Sequence, residues 1–195
     1  MADIIRGLVY VLGDNVYTDQ IIPADRLTWN PAIPAERLKL GSYALDGLPD
    51  EFKARFPFMT AEERAAIAEG RGKVKYNIIV GGRGFGCGSS REHAPNALGA
   101  AGVQAVIAKG YARIFFENSV NTGELLPVTS RLHIVDGFST GDEAEIDLVR
   151  NRARNLTRGL DYDIEPLGYV KAIVEAGGLF AYARQQGLIP PRPST

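Results

Sequence analysis

The sequence predicts an α/β fold in which parallel strands alternate with crossover helices. Three observations carry that prediction. From Tyr76 onward, short apolar runs and helical stretches follow one another, the pattern of parallel strands joined by helices that cover the sheet. Glycines at 102, 110 and 123 punctuate the changes from one element to the next. The apolar run Tyr76–Val80 also leads directly into a loop, Gly81 to Pro95 (GGRGFGCGSSREHAP), whose glycines let backbone N–H groups approach a ligand closely.

Taken in order, Arg6–Leu12 contains Leu8, Val9, Tyr10, Val11 and Leu12, a run fitting a buried strand, and Gly13-Asp14-Asn15 turns the chain after it. Between Pro23 and Gly72, prolines at 31, 34, 49 and 57 break the pattern into short pieces. One helix is expected there, Ala61–Ala68, started by Thr60 with Glu63 in a capping box. The rest of that stretch reads as the segment most exposed to a substrate or partner. After the Tyr76–Val80 strand come a helix from Ala94 to Ala101, a strand from Val103 to Ala108 and a helix from Tyr111 to Asn121. Beyond Pro127, strands are expected at Arg131–Val135, Ala144–Val149 and Asp161–Ile164. Helices follow at Leu167–Ala176 and Leu179–Gln186, and Pro190 to Thr195 reads as a loose tail.

A chain of 195 residues with 45% hydrophobic content can bury a proper core, and its length suits one domain, residues 1–195. The net charge of −1, with basic residues scattered along the chain, argues against nucleic acid as a partner. The apolar stretch near the N-terminus is too short for a signal peptide, and no later run approaches a membrane span, so the expected location is the cytoplasm. A single cysteine excludes an internal disulfide, and it excludes a cysteine-ligated iron–sulfur cluster held by this chain alone. Cys87 itself reads as a small residue in a tight turn.

Spacing narrows what the glycine loop can be. The dinucleotide pattern G-x-G-x-x-G fails, because Gly84 and Gly86 require a glycine at Ser89 and Gly82 and Gly84 require one at Cys87. No G-K-[ST] follows, so it is not a phosphate loop, and Arg91-Glu92 beyond the serine pair rules out the G-x-S-x-G elbow. What survives is a glycine turn delivering Ser89, Ser90 and Arg91 together, a hydroxyl pair beside a planar guanidinium fork suited to a carboxylate. The competing reading makes Ser89 and Glu92 a capping box and nothing more. Against it stands Pro95, which belongs in the first turn of a helix and not deep inside one begun at Ser89.

The GCGSSRE run resembles the hallmark of the 3-isopropylmalate dehydratase small subunits, the swivel-domain partners of the aconitase superfamily. The opening segment Gly13 to Pro23 (GDNVYTDQIIP) is similar to that family's first motif. Ala97 to Ala108 and Tyr111 to Gly123 are similar to its next helix, strand and helix, and Leu40 to Asp50 to the members with a longer middle segment. The likeness spans roughly Ile4 to Val128, and several motifs in one order weigh more than any one alone. It implies an aconitase-type swivelling β/β/α domain with a mixed or parallel sheet flanked by helices. Residues 24–72 would form its substrate- or partner-facing insertion.

The resemblance further implies dehydration and rehydration of a hydroxy-dicarboxylate, with a 4Fe–4S cluster drawing off hydroxide. That cluster is expected on a large partner subunit and none on this chain. Ser89 is carried over as the base, its alkoxide stabilised by Arg91 and by N–H donors of the loop that includes Gly86 and Gly88. Ser90 and Arg91 would hold a substrate carboxylate. Thr18 and Asp19 belong to the opening motif, which faces the same cleft in the family. Asp19 orients Arg91 or the serine hydroxyl, or else is a turn-stabilising Asx residue. His93 reads as scaffold at the helix start. Selectivity is expected just after Pro23, where Leu27, Thr28 and Trp29 offer contacts for an isopropyl group worth about 1.5–3 kcal/mol. Arg26 pointing inward would instead select a charged group, and Glu117 reads as a solvated helix position. Three readings follow: an isopropylmalate dehydratase subunit; a subunit of a related hydro-lyase acting on homoaconitate, methylmalate or citraconate, or dimethylmalate; and a non-catalytic carboxylate-binding module.

Overall fold

The computed structural model describes residues 3–191. Among the described residues seven strands form one sheet: β1 (Ile4–Val11), β2 (Ile78–Gly81), β3 (Ala105–Ala108), β4 (Leu126–Thr129), β5 (Glu143–Asp147), β6 (Arg152–Asn155) and β7 (Leu160–Asp163). Their order is β4-β3-β2-β1-β5-β6-β7. The β1, β2, β3 and β4 neighbours pair in parallel, with Val9 opposite Ile78, Ile78 opposite Ala105 and Ala105 opposite Leu126. β5, β6 and β7 add on antiparallel to the other side of β1. The sheet is therefore mixed, and the long first strand joins its two halves.

Period-two alternation along the parallel strands divides the core. Tyr10, Ile79, Val106 and Ala108 point to one face, while Val9, Ile78, Val80, Ala105 and Ile107 point to the other. Both faces are covered, which is why these strands read as continuous apolar runs. The first face packs on α2 (Pro34–Ser42), α4 (Ala61–Ala68) and α5 (His93–Ala101), with Leu40, Ile67, Ala97 and Leu98 fully buried. The second packs on α7 (Tyr169–Glu175), through Val170, Ile173 and Val174. α6 (Arg113–Thr122) contributes Phe115 to one cluster and Val120 to the other.

Several expectations hold closely. The capping box opens α4, with Thr60 Oγ1 accepting the Glu63 N–H at 3.1 Å and Glu63 accepting the Thr60 N–H at 2.7 Å. Helix α5 starts at His93, with Glu92 at the N-cap position making no side-chain cap bond, so both serines stay in the loop and Ser89 caps nothing. Pro95 then falls in the first turn, where an N–H is not needed. α8 (Leu179–Gln185) follows the Gly177-Gly178 break.

Elsewhere the structure corrects the reading. The strand expected at Arg131–Val135 is instead β4, Leu126–Thr129, and residues 131–134 bend into a 3-10 turn at Val135–Gly137. Pro127 lies inside that strand, opposite Val106, and is tolerated because β4 is an edge strand whose outer side needs no donor. β6 is hidden in a charged run where only Ala153 and Asn155 are buried. In the 24–72 stretch, Pro34 begins α2 instead of breaking structure, as a proline at the first helical position does. From there to Ile67 the segment, including α3 (Asp50–Arg55), contributes Leu40, Ala44, Leu45, Leu48, Phe58 and Ile67 to the core. The strap between Pro23 and Ile33 lacks regular structure beyond a 3-10 turn at Ala24–Arg26. The tail expected at 190–195 lies, from Arg192 on, outside the described residues.

Candidate active site

Loops leaving the carboxyl ends of parallel strands are where open α/β sheets bind ligands. Here the loops after β1 and β2 run side by side as an extension of the sheet. Asn15 N–H donates to the Arg83 carbonyl at 2.7 Å, Gly86 N–H to the Val16 carbonyl at 2.8 Å and Thr18 N–H to the Cys87 carbonyl at 2.8 Å. The ladder closes on a side chain, the Ser89 N–H donating to Thr18 Oγ1 at 2.9 Å. Asp14 clamps the start of both loops: its carboxylate accepts the Arg83 N–H at 2.7 Å and meets His133 Nε2 at 2.8 Å. Those contacts hold its pKa below the usual carboxylate value, the Arg83 amide first and His133 second.

Phe85 anchors the middle of the glycine loop. It is fully buried against Phe115 and Tyr111, and its backbone pairs with Gly110 and Ala112 from the loop after β3. Gly86 has φ +78°, and a Cβ there would lie 2.1 Å from Phe115 Cγ, so only glycine fits. Gly88, at φ +109°, completes the turn that exposes the serines. Cys87 is half-buried with Sγ 3.6 Å from the Val16 carbonyl, consistent with a small turn residue.

Donors around the loop divide into used and free. Gly86, Cys87 and Ser89 spend their N–H groups inside the protein. Among the described residues, the Gly88 and Ser90 N–H groups, both serine hydroxyls and the Arg91 guanidinium have no protein partner, and Arg91 is exposed with no ion pair. The N-terminus of α5 follows two residues later and adds a partial positive charge. Uncommitted donors beside two hydroxyls form an anion-binding arrangement.

Thr18, Asp19, Leu27, Ser89 and Arg91, all singled out in the sequence, wall one small gap with Ile22 and Ala94. At about 10 Å³ it is no larger than a water. The open side of Ser89 faces a cavity of about 490 Å³ lined by Gly86, Gly88, Ala112, Arg113, Ile114 and Glu117. Asp19 is exposed at the first turn of α1 (Thr18–Ile21) and makes no hydrogen bond to Arg91. Thr28 is exposed, and Trp29 turns its ring to Tyr43 at 5.4 Å, so Leu27 alone of the three strap residues lines the gap. Arg26 lies over Tyr43 at 4.3 Å, away from Ser89. Glu117 is exposed, as its reading as a solvated helix position expects, and pairs with Arg113, which the sequence did not single out. Arg113 Nε donates to Glu117 Oε1 at 2.8 Å beside the cavity, and their i, i+4 spacing was the available signal.

Residues 62–132, which include the glycine loop, match the aconitase C-terminal domain family. The 3-isopropylmalate dehydratase small subunit 1 of Arabidopsis thaliana is 52% identical over 95% of this chain and 70% of its own length. The small subunit of Thermodesulfovibrio yellowstonii is 39% identical over 93% of this chain and 95% of its own. The chain belongs to the 3-isopropylmalate dehydratase small-subunit family. The crystal structure of 3-isopropylmalate dehydratase (leuD) from Methanocaldococcus jannaschii superposes with a TM-score of 0.73 at 34% identity, covering 95% of this chain and 96% of that one. The mixed sheet with its flanking helices is thus the swivel α/β domain expected for this family. The iron–sulfur cluster implied for such dehydratases does not fit this chain. Its one cysteine cannot supply cluster ligation, and among the described residues no group of three His, Cys, Asp or Glu side chains is placed to hold a metal. No helix of the described residues is long and apolar enough to cross a membrane.

Proposed function

We propose that this chain is the small subunit of a 3-isopropylmalate dehydratase, a hydro-lyase that interconverts 2- and 3-isopropylmalate by dehydration and rehydration in leucine biosynthesis. The observation that carries the reading is the Ser89 loop, held at the carboxyl ends of β1 and β2 with its hydroxyl and the Arg91 fork uncommitted. A large subunit carrying the cluster completes the site over the 490 Å³ cavity, and the assembled enzyme works in the cytoplasm.

In this reading Ser89 Oγ removes the proton from the carbon beside a substrate carboxylate. A serine hydroxyl does so only if its developing negative charge is stabilised, which the free Gly88 and Ser90 N–H groups and Arg91 can do. Arg91 and the Ser90 hydroxyl hold the carboxylate. Asp19 lines the same gap as Arg91 and would orient it once substrate and the large subunit close the site. Thr18 acts through Ser89: its buried hydroxyl already accepts the Ser89 N–H and so positions the base. Arg26, stacked on Tyr43, presents no cation to the Ser89 gap, while Leu27 does line it. That arrangement favours an alkyl-bearing substrate over the tricarboxylate of homoaconitase-type relatives.

The test is reconstitution. The chain alone should be inactive, and adding the cluster-bearing large subunit should restore turnover of isopropylmalate. Ser89→Ala should then abolish turnover while binding the large subunit as wild type does. Unimpaired turnover by that variant would remove Ser89 from its role as base.

A further inference from the structure

We propose that His93 is a positioning residue that clamps the Pro23–Ile33 strap to the catalytic loop and so sets the size of the alkyl group the site accepts. The inference takes its substrate from the function proposed above. Leu27 and Trp29 pack, partly buried, against the core, but few hydrogen bonds hold the strap. Its hydrogen bonds join its own residues or reach Glu36 in α2, as when Asn30 N–H donates to Glu36 Oε2 at 2.6 Å. Its aromatic and cationic contacts, Trp29 and Arg26 on Tyr43, go to the residue that ends α2.

Among the described residues, one hydrogen bond ties the strap to anything beyond α2: His93 Nε2 with the Trp29 carbonyl at 2.9 Å. A carbonyl only accepts, so Nε2 carries the hydrogen and is the donor. Nδ1 is buried and has no hydrogen-bond partner. An imidazole kept only to fill space would be poorly chosen here, because its second nitrogen is buried without compensation. The bond to the strap is what the side chain provides.

Its place in the chain gives that bond a consequence. His93 is the first residue of α5, two beyond Arg91 and one before Ala94. Trp29 is two beyond Leu27. The clamp therefore spans the two segments whose Leu27, Arg91 and Ala94 wall the Ser89 gap. Leu27 walls that gap, which is now about the size of one water, so where the strap holds Leu27 decides how far the gap can widen toward the volume of an alkyl group.

The test uses the enzyme reconstituted with its large subunit and the variants His93→Ala, His93→Phe and His93→Gln. Phenylalanine keeps a ring but cannot donate, and glutamine restores an N–H. The ratio of kcat/KM for isopropyl-substituted over methyl-substituted malate should fall about fivefold or more in the alanine and phenylalanine variants, chiefly through KM, and recover to within about twofold in glutamine. Trp29 is the only tryptophan, so acrylamide quenching of the chain reports the strap directly and should rise in the first two variants alone. The phenylalanine variant decides the matter if the alanine variant does not fold. A strap that loosens while the ratio stays put, or a Trp29 as shielded as in wild type, overturns the proposal. Wild-type enzyme that turns over neither malate instead overturns the function reading, and the quenching result still decides whether His93 holds the strap.

Discussion

Thr18→Val isolates the contact that ties the Ser89 loop to Thr18. Valine nearly matches threonine in shape, and Thr18 is 4% exposed, so the substitution fills the same space and removes only the acceptor of the Ser89 N–H. Leaving a partly buried N–H without a partner costs about 1–3 kcal/mol. If that cost appears as a displaced Ser89, kcat should fall between about fivefold and a hundredfold, since about 1.4 kcal/mol corresponds to a factor of ten. KM should stay within about twofold, because Arg91 and Ser90 are untouched. Thr18→Ser keeps the hydroxyl and should recover most of the rate. Steady-state kinetics on the reconstituted enzyme, with thermal melting of the chain to confirm folding, make the measurement. A folded valine variant with wild-type kcat would refute the claim that Thr18 positions the base.

Two further outcomes follow from the loops around Ser89. Gly86→Ala combines a disfavoured positive φ with an overlap on Phe115 and should destabilise the chain by roughly 1–3 kcal/mol while abolishing turnover, read by denaturant melts and by activity. Asp14 has a folded pKa below its unfolded value, so its contribution is present above about pH 4 and is lost as pH falls through the lower folded pKa. Asp14→Asn should therefore melt lower than wild type at neutral pH, and the gap should close on acidification; a gap independent of pH would contradict this.

The alternation of apolar runs and glycines was enough to specify parallel strands and crossover helices, because strands buried on both faces must be apolar throughout. The GCGSSRE run and the opening motif singled out residues that the structure brings together around one gap, since hydroxyls, glycines and an arginine in one loop have few structural uses. Their juxtaposition was implied by the family resemblance and not by the residues themselves. Thr18 and Ser89 are 71 residues apart, and only the parallel pairing of β1 with β2 makes their loops neighbours. Proline was the residue most often misread: Pro34 starts a helix and Pro127 sits within an edge strand, and both depend on which N–H groups the surrounding fold leaves unneeded. Composition and local pattern determined the chemistry available to this protein, because they depend on neighbours in the chain. Tertiary structure alone decided which donors are spent, which are free, and that Trp29 faces Tyr43 and His93, because those outcomes depend on partners far away in sequence.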